Sequence, residues 1–283
     1  MFNLVHKQIT RLEFQEDGLP LRGVYPAAYL DQGAGVPLVL LHGFLGSSSC
    51  WLPLIQELSP HCYCVGLDLM GFGDSAKPRI RYDVAKEVAF LRQFLVSLNL
   101  DSCYILGHSF GGWVAAAYAL AYPDAVQGLI LAAPAGIRDD SFCGRYDHLR
   151  PLLWETPLVD WCLQLVTPVS RWIGQAATVE RIAWFRRELM AEPAARSFLV
   201  DRLRPEDAID TVEKDIHRLR VPTLVITGDR DETIPLWHSQ TYAREIPSAQ
   251  LAVLAGADHA LPQKYAPEMA AHILPFLQSA IAL

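Results

Sequence analysis

The chain has 283 residues, 51% of them hydrophobic and 19% charged, which suits one large domain with a substantial core and excludes global disorder. Its formal net charge of −7, with no run of lysine or arginine, argues against a nucleic-acid surface and fits a neutral or apolar ligand.

The opening Met1-Phe2-Asn3-Leu4-Val5-His6-Lys7 lacks a basic segment followed by an apolar one, so no signal peptide is expected. The most apolar stretch, 110–122, ends at Pro123-Asp124 and is shorter than the roughly 20 residues a membrane span needs, so no stable membrane insertion is expected. The six cysteines (Cys50, Cys62, Cys64, Cys103, Cys143, Cys162) show no metal-ligand spacing and read as reduced thiols in a cytoplasmic protein.

In chain order, segments 7–14 and 21–30 with the Asp17-Gly18 turn between them predict an antiparallel hairpin at one sheet edge. Runs 36–42, 63–67, 103–106, 129–132 and 223–227 are short and uninterruptedly apolar, as strands buried on both faces are; 251–254 reads as a last strand. Helical patterns fill the gaps at 50–58, 84–98, 111–121, 237–245 and 267–277. The alternation predicts an α/β fold with a doubly wound, mostly parallel sheet.

The alternation breaks over 136–216, which carries prolines at 151, 157, 168, 193 and 205 and no convincing strand. Leu158, Trp161, Cys162 and Leu165 fall at helical spacing, as do Ile182, Phe185 and Leu189. Four of the seven tryptophans lie here: Trp154, Trp161, Trp172 and Trp184. This reads as a helical insertion over the C-terminal edge of the sheet, where open α/β sheets bind ligands. The core is then 1–135 and 217–283.

Gly107-His108-Ser109-Phe110-Gly111 sits between the 103–106 strand and the 111–121 helix. G-x-S-x-G in that context is the pattern of a nucleophile elbow, a sharp turn that lifts a serine hydroxyl clear of the sheet. Ser109 is the candidate nucleophile. A serine needs a base and a group that orients the base, and both should follow later strands. His259, after the 251–254 strand, is the candidate base, because histidine's ordinary pKa near 6.5 suits proton shuttling. His6, His61, His148, His217, His238 and His272 lie before the core, in the insertion or around helices.

Asp229 and Asp231 both follow the 223–227 strand. Asp231 is the expected orienting acid, since the chain has cleared the strand end there; Asp229 and Asp258 are assigned to turns. An oxyanion would be held by the N–H of Phe110 at the helix start and of Phe44 in the loop His42-Gly43-Phe44-Leu45-Gly46. His42 is expected to fix that loop by hydrogen bonding, with a catalytic role as the alternative, and His108 to be a wall or support of the substrate site. The insertion's tryptophans either line an apolar substrate pocket, Trp154, Trp161 and Trp184 among them, or pack the insertion on the core. Arg181, Arg186 and Arg187 read as a solvated helix face, with an acidic substrate group as the alternative partner.

These residues, with Gly66-x-Asp68-x-x-Gly71-Phe72-Gly73-Asp74-Ser75, Gly112 and the Asp258-His259 pair, resemble the α/β-hydrolase superfamily over nearly the whole chain. The resemblance implies that 136–216 is a cap. Serine at the elbow disfavours the haloalkane dehalogenases and epoxide hydrolases of that fold, which carry aspartate there. Hydrolases that cleave carbon–carbon bonds of ring-cleavage products share the serine and the cap, but usually place asparagine before the serine and tryptophan soon after the histidine; here His108 and Ala260-Leu261-Pro262 stand instead. The menaquinone-pathway lyase and the cofactor-free haloperoxidases are also similar, though the latter are generally capless. The expected activity is hydrolysis of a carboxylic ester with a bulky apolar portion through an acyl-enzyme on Ser109, with no metal or organic cofactor. The alternative is a carbon–carbon hydrolase or lyase with the same triad, and behind it an acyltransferase or a non-catalytic ligand-binding protein. The expected partner is a small-molecule substrate, and the expected state a monomer or homodimer.

Overall fold

The computed structural model describes residues 7–14, 21–140, 152–172, 174–201 and 211–281. Its elements, in chain order, are β1 Gln8–Phe14, β2 Gly23–Gln32, β3 Pro37–Leu41, α1 Leu52–Leu58, β4 Tyr63–Leu67, α2 Val84–Ser97, β5 Cys103–His108, α3 Phe110–Ala121 and β6 Val126–Ala132. Three helices follow, α4 Pro157–Trp172, α5 Ala176–Ala191 and α6 Pro193–Asp201. The chain then returns to the sheet as β7 Thr223–Gly228, α7 Leu236–Glu245, β8 Ala249–Leu254, α8 Leu261–Lys264 and α9 Ala266–Ile281.

The eight strands form one sheet in the order β1-β2-β4-β3-β5-β6-β7-β8. The β1–β2 and β2–β4 pairs are antiparallel, and every pair from β4 to β8 is parallel. The expected edge hairpin is therefore present; its Asp17-Gly18 turn lies outside the described residues. β5, β6 and β8 run slightly longer than the apolar runs that announced them.

The uninterrupted apolar runs have a direct cause. In β3, Val39 and Leu41 face a core shared with α2 and α3, while Leu38 and Leu40 face a second core shared with α1 and α9. β5 divides likewise, with Cys103 and Ile105 on one side and Tyr104 and Leu106 on the other. A strand covered by helices on both faces has no polar position to alternate with. Cys64 of β4 and Cys62, just before that strand, are both buried with their sulfurs 3.6 Å apart.

Helices α4 to α6 stand between β6 and β7, where the alternation breaks in the sequence. The last of them meets the core closely: Ser197 Oγ accepts the Tyr82 N–H at 3.1 Å, and Glu192, just before α6, pairs with Lys77 at 3.2 Å. Arg186 does not lie on a solvated helix face. It is 3% exposed, forms a two-pronged pair with Asp160 at 2.7 and 2.8 Å, and also donates to the carbonyls of Leu152, Trp154 and Thr156. That arginine ties α5 to α4 and to the chain leading into α4.

Candidate active site

The parallel register decides which loops meet. Leu41 pairs with Gly107 and His108 with Ala132, so the ends of β3 and β6 flank the end of β5. Gly228 pairs with Leu254, so the loops after β7 and β8 leave the sheet side by side.

Ser109 is the only residue between β5 and α3, and it takes φ 53°, ψ −115°. A non-glycine residue there is strained, and such strain persists only where its surroundings hold it. The surroundings are visible. Ser109 N–H donates to Ala132 O at 2.9 Å, and Ser109 O accepts from Gly112, Trp113 and Ala135 N–H at 3.0 to 3.2 Å. A Cβ on Gly107 would stand 2.2 Å from Gly111 O, and one on Gly111 would stand 2.2 Å from Leu41 O. The turn thus closes only with glycine at both positions. The Ser109 side chain makes no capping bond to α3, so its hydroxyl is uncommitted among the described residues.

The structure brings Asp231 and His259 together. His259 Nδ1–H donates to Asp231 Oδ2 at 2.7 Å, which leaves Nε2 as the acceptor nitrogen. Asp231 Oδ1 accepts the N–H groups of Thr233 and Ile234 at 2.8 and 2.9 Å, so the carboxylate is held from both sides and its side chain is fully buried. Asp229 turns instead to the Gly256 N–H at 2.6 Å, and Asp258 to the Ala260 N–H at 3.0 Å. The loops touch tightly, since a Cβ on Gly228 would lie 2.2 Å from Ala257 O. A second histidine–carboxylate pair, His238 Nε2 and Asp139 Oδ2 at 3.1 Å, ties α7 to the segment after β6.

The 42–46 loop lies against the elbow. A Cβ on Gly43 would be 3.2 Å from Ser109 Cβ and 3.0 Å from His108 Nδ1. Leu45 takes φ 56°, and Gly46 N–H returns to Gly43 O at 3.0 Å. His42 is fully buried and ties this loop to the segment after β4: Nδ1–H donates to Gly43 O at 2.7 Å, and Nε2 accepts the Leu69 N–H at 3.0 Å. Burial pulls its pKa down despite the Gly43 bond, so it stays neutral. His42 is therefore a loop support and not a surface for substrate. Phe110 opens α3, where the first N–H groups of a helix have no intrahelical partner.

The 66–75 motif buttresses this end. Asp68 accepts from Ser48 N–H at 2.6 Å and Asp74 N–H at 2.8 Å, and pairs with Lys7 at 2.8 Å. Leu69 and Phe72 are thereby placed beside His42, with the Phe72 and His42 rings 5.6 Å apart.

Four phenylalanines gather where the two candidate oxyanion residues meet. The Phe110 ring lies 5.9 Å from Phe72, 6.3 Å from Phe44 and 4.9 Å from Phe198. Phe198 comes from α6, and sequence reasoning missed it. No motif marks it; helical spacing could place it on an apolar face but not over a particular loop.

The tryptophans behave differently. Trp154, Trp161 and Trp184 are 61%, 56% and 52% exposed, and Leu158, Leu165, Val169 and Trp172 continue the exposed stripe on α4. Helical spacing revealed an apolar face, and in this structure that face is open to solvent and is not packed on the core. His108 is 5% exposed and donates Nε2–H to the His259 backbone oxygen at 2.8 Å, so it is a support more than a wall.

Among the described residues no group of three or more His, Cys, Asp or Glu is placed to hold a metal ion, and no helix is long and apolar enough to cross a membrane.

Comparison with known proteins agrees with this architecture. The chain is 29% identical to 2-hydroxy-6-oxo-2,4-heptadienoate hydrolase of Pseudomonas putida strain F1 over 81% of this chain and 84% of that one. It is 34% identical to 1-acylglycerol-3-phosphate O-acyltransferase ABHD5 of Rattus norvegicus over 78% of this chain and 63% of that one. A thermophilic esterase from Thermogutta terrifontis superposes with a TM-score of 0.74 over 96% of this chain and 99% of its own, at 24% identity. The model of the alpha/beta hydrolase family matches residues 38–272, and the chain belongs to that family.

Proposed function

We propose that this chain is a serine hydrolase that cleaves a carboxylic ester with a bulky apolar portion through an acyl-enzyme on Ser109. The observation that carries the reading is the 2.7 Å bond from His259 to Asp231, beside a strained elbow whose serine hydroxyl is uncommitted. Ser109 Oγ attacks the ester carbonyl while His259 Nε2 takes its proton. Asp231 holds the tautomer that leaves Nε2 free and stabilises the imidazolium. The N–H groups of Phe44 and Phe110 hold the oxyanion. The tetrahedral species collapses, His259 returns the proton to the leaving alcohol, and the acyl group stays on Ser109. Water then attacks the acyl-enzyme with His259 again as base, releasing the acid and restoring the hydroxyl.

Helices α4 to α6 act as the cap over this site, and Phe198 of α6 packs against Phe44 and Phe110. The Phe44, Phe72, Phe110 and Phe198 cluster supports an apolar substrate portion. The pairing of two arginines of these helices supports it too. Arg186 is bound to Asp160 and Arg196 to Glu155, so neither waits for a substrate carboxylate.

A second reading is hydrolysis of a carbon–carbon bond, favoured by the Pseudomonas putida relative. The compound in that relative's name is a keto acid without an ester, so its hydrolysis must break a carbon–carbon bond. The same Ser109 and His259 would then act on a ketone. Acyl transfer to an alcohol in place of water is the variant suggested by the acyltransferase relative.

The test is turnover of p-nitrophenyl esters of increasing acyl length by wild type and Ser109→Ala, with a fluorophosphonate probe and 2-hydroxy-6-oxo-2,4-heptadienoate run in parallel. Ester turnover and labelling that both vanish in Ser109→Ala support the ester reading. Labelling with turnover of the dienoate but not of esters replaces it with the second. Neither labelling nor turnover sinks both.

A further inference from the structure

We propose that His108 is a positioning residue for the base: its Nε2–H holds the main chain of His259, so the residue before the nucleophile also fixes where the base sits. The inference rests on the reading of Ser109 and His259 given above.

His259 lies in the loop between β8 and α8, beyond the last strand of the sheet, and must reach back past β7 and β6 to the end of β5. Asp231 holds only the ring. Something has to hold the backbone, because a ring pivoting about one hydrogen bond would swing its Nε2. The His259 carbonyl is held twice, by Leu261 N–H at 2.9 Å and by His108 Nε2–H at 2.8 Å. The first bond is local to the loop. The second crosses 151 residues of sequence and ends on the neighbour of Ser109. Adjacent Cα atoms are about 3.8 Å apart, so the bond ties base to nucleophile by the shortest path the chain allows.

The carbonyl can only accept, so the proton of the His108 ring sits on Nε2 and its Nδ1 is left facing Gly43. The ring packs at 4.8 Å from the His259 ring, tilted 41°, and edge-on to Trp51 at 6.4 Å. It is thus wedged among the elbow, the 42–46 loop and the base. A charge there would oppose an imidazolium on His259. Burial and the proximity of His259 pull the His108 pKa down to about 3, so the ring remains a neutral donor. The other titratable groups that face it are Asp231, from the loop after β7, and His42, from the loop after β3.

Chemistry specifies which substitutions matter. Gln places its Nε2 four bonds from Cα, as His108 does. Asn places its nitrogen one bond short. Phe keeps a planar ring with no donor. A positioning role predicts that donor reach decides the outcome; a wall role predicts that ring shape does.

The experiment measures kcat and KM for a p-nitrophenyl ester with His108→Phe, His108→Gln and His108→Asn. The low-field proton resonance of His259 Nδ1–H, identified by its loss in His259→Gln, is recorded for each. His108→Phe is expected to lower kcat roughly 10- to 100-fold with KM within about 3-fold, and to shift or broaden that resonance. His108→Gln is expected to recover most of both, and His108→Asn little. Equal kcat in wild type and His108→Phe overturns the proposal, as does a loss carried by KM that Gln does not repair. If His108→Phe fails to fold, Gln above Asn supports the proposal and equality of the two overturns it. Turnover that survives Ser109→Ala would overturn the nucleophile reading instead, and the resonance would still report on His108.

Discussion

Asp231 divides its two carboxylate oxygens: Oδ2 takes His259 Nδ1–H at 2.7 Å, and Oδ1 takes the N–H groups of Thr233 and Ile234. The loop thereby fixes the carboxylate before it meets the histidine. Asp229, two residues earlier, bonds Gly256 N–H and has no part in that arrangement. Asp231→Asn should therefore lower kcat about 10³- to 10⁴-fold while KM stays within a few-fold, because an amide can favour the wrong tautomer. Asp229→Asn should leave kcat within about 3-fold and cost at most about 1 kcal/mol of stability. Steady-state kinetics on the pair decides the matter. Equal losses would move the acid from Asp231 to the loop as a whole.

The contrast between these aspartates shows what the sequence could say. Its apolar runs announced strands because helices cover both sheet faces, and the order of candidate serine, acid and histidine matched the one expected of the fold that the elbow motif implies. The glycines at 107 and 111 were legible because a turn with no loop between strand and helix leaves no room for a side chain. The helices between β6 and β7 were legible only as helices. Their spacing showed a stripe through Leu158, Trp161 and Leu165 but not its direction, and the stripe faces outward. Arg186 read as a solvated residue because its carbonyl partners, Leu152, Trp154 and Thr156, lie about 30 residues away in no pattern. The bond from His108 to the His259 carbonyl was invisible for a similar reason: a backbone acceptor has no letter in the sequence.

The elbow's geometry makes a sharp prediction about Gly111. Its added Cβ would stand 2.2 Å from Leu41 O and 2.6 Å from His42 O, both backbone atoms at the end of a central strand. Neither can retreat without breaking the β3–β5 pairing at Leu41 and Gly107. Gly111→Ala should cost roughly 3 kcal/mol or more, or prevent folding outright, although alanine favours helices elsewhere. Thermal denaturation against wild type is the check. A Gly111→Ala protein that melts with wild type would disprove the close approach.

The buried histidines make stability depend on pH with a definite sign. His42 and His108 both have pKa values below the ordinary one near 6.5, through burial first, and His108 falls to about 3. Below pH 6.5 the unfolded chain binds protons that the folded chain refuses, so acidification favours unfolding. The loss begins near pH 6.5 and, for His108, continues as far as about pH 3. Glu87, whose carboxyl burial holds well above its ordinary pKa, works in the opposite sense, so the check is a difference: from pH 7.0 to 5.5 the denaturant midpoint of wild type should lose more than that of His108→Gln, which has one buried imidazole fewer. An identical drop in the two proteins would mean that His108 takes up its proton in the folded state.

Phe198 links the helices beyond β6 to the candidate site. Its ring lies 4.9 Å from Phe110 and 6.5 Å from Phe44, the two residues whose N–H groups are assigned to the oxyanion. An acyl chain leaving Ser109 on that side would meet Phe198 early. Phe198→Ala removes the obstruction and leaves a cavity, at a stability cost of about 3 kcal/mol or somewhat less, since the ring packs between elements. For p-nitrophenyl esters, the acyl length giving the highest kcat/KM should move to longer chains. The shortest esters should lose several-fold in kcat/KM, because the space they leave empty then fills with water. The direction of the change separates two roles for the ring. A uniform loss at every chain length would mean that Phe198 only supports the Phe44 and Phe110 backbone, whereas a shifted optimum makes it the end wall of the acyl site.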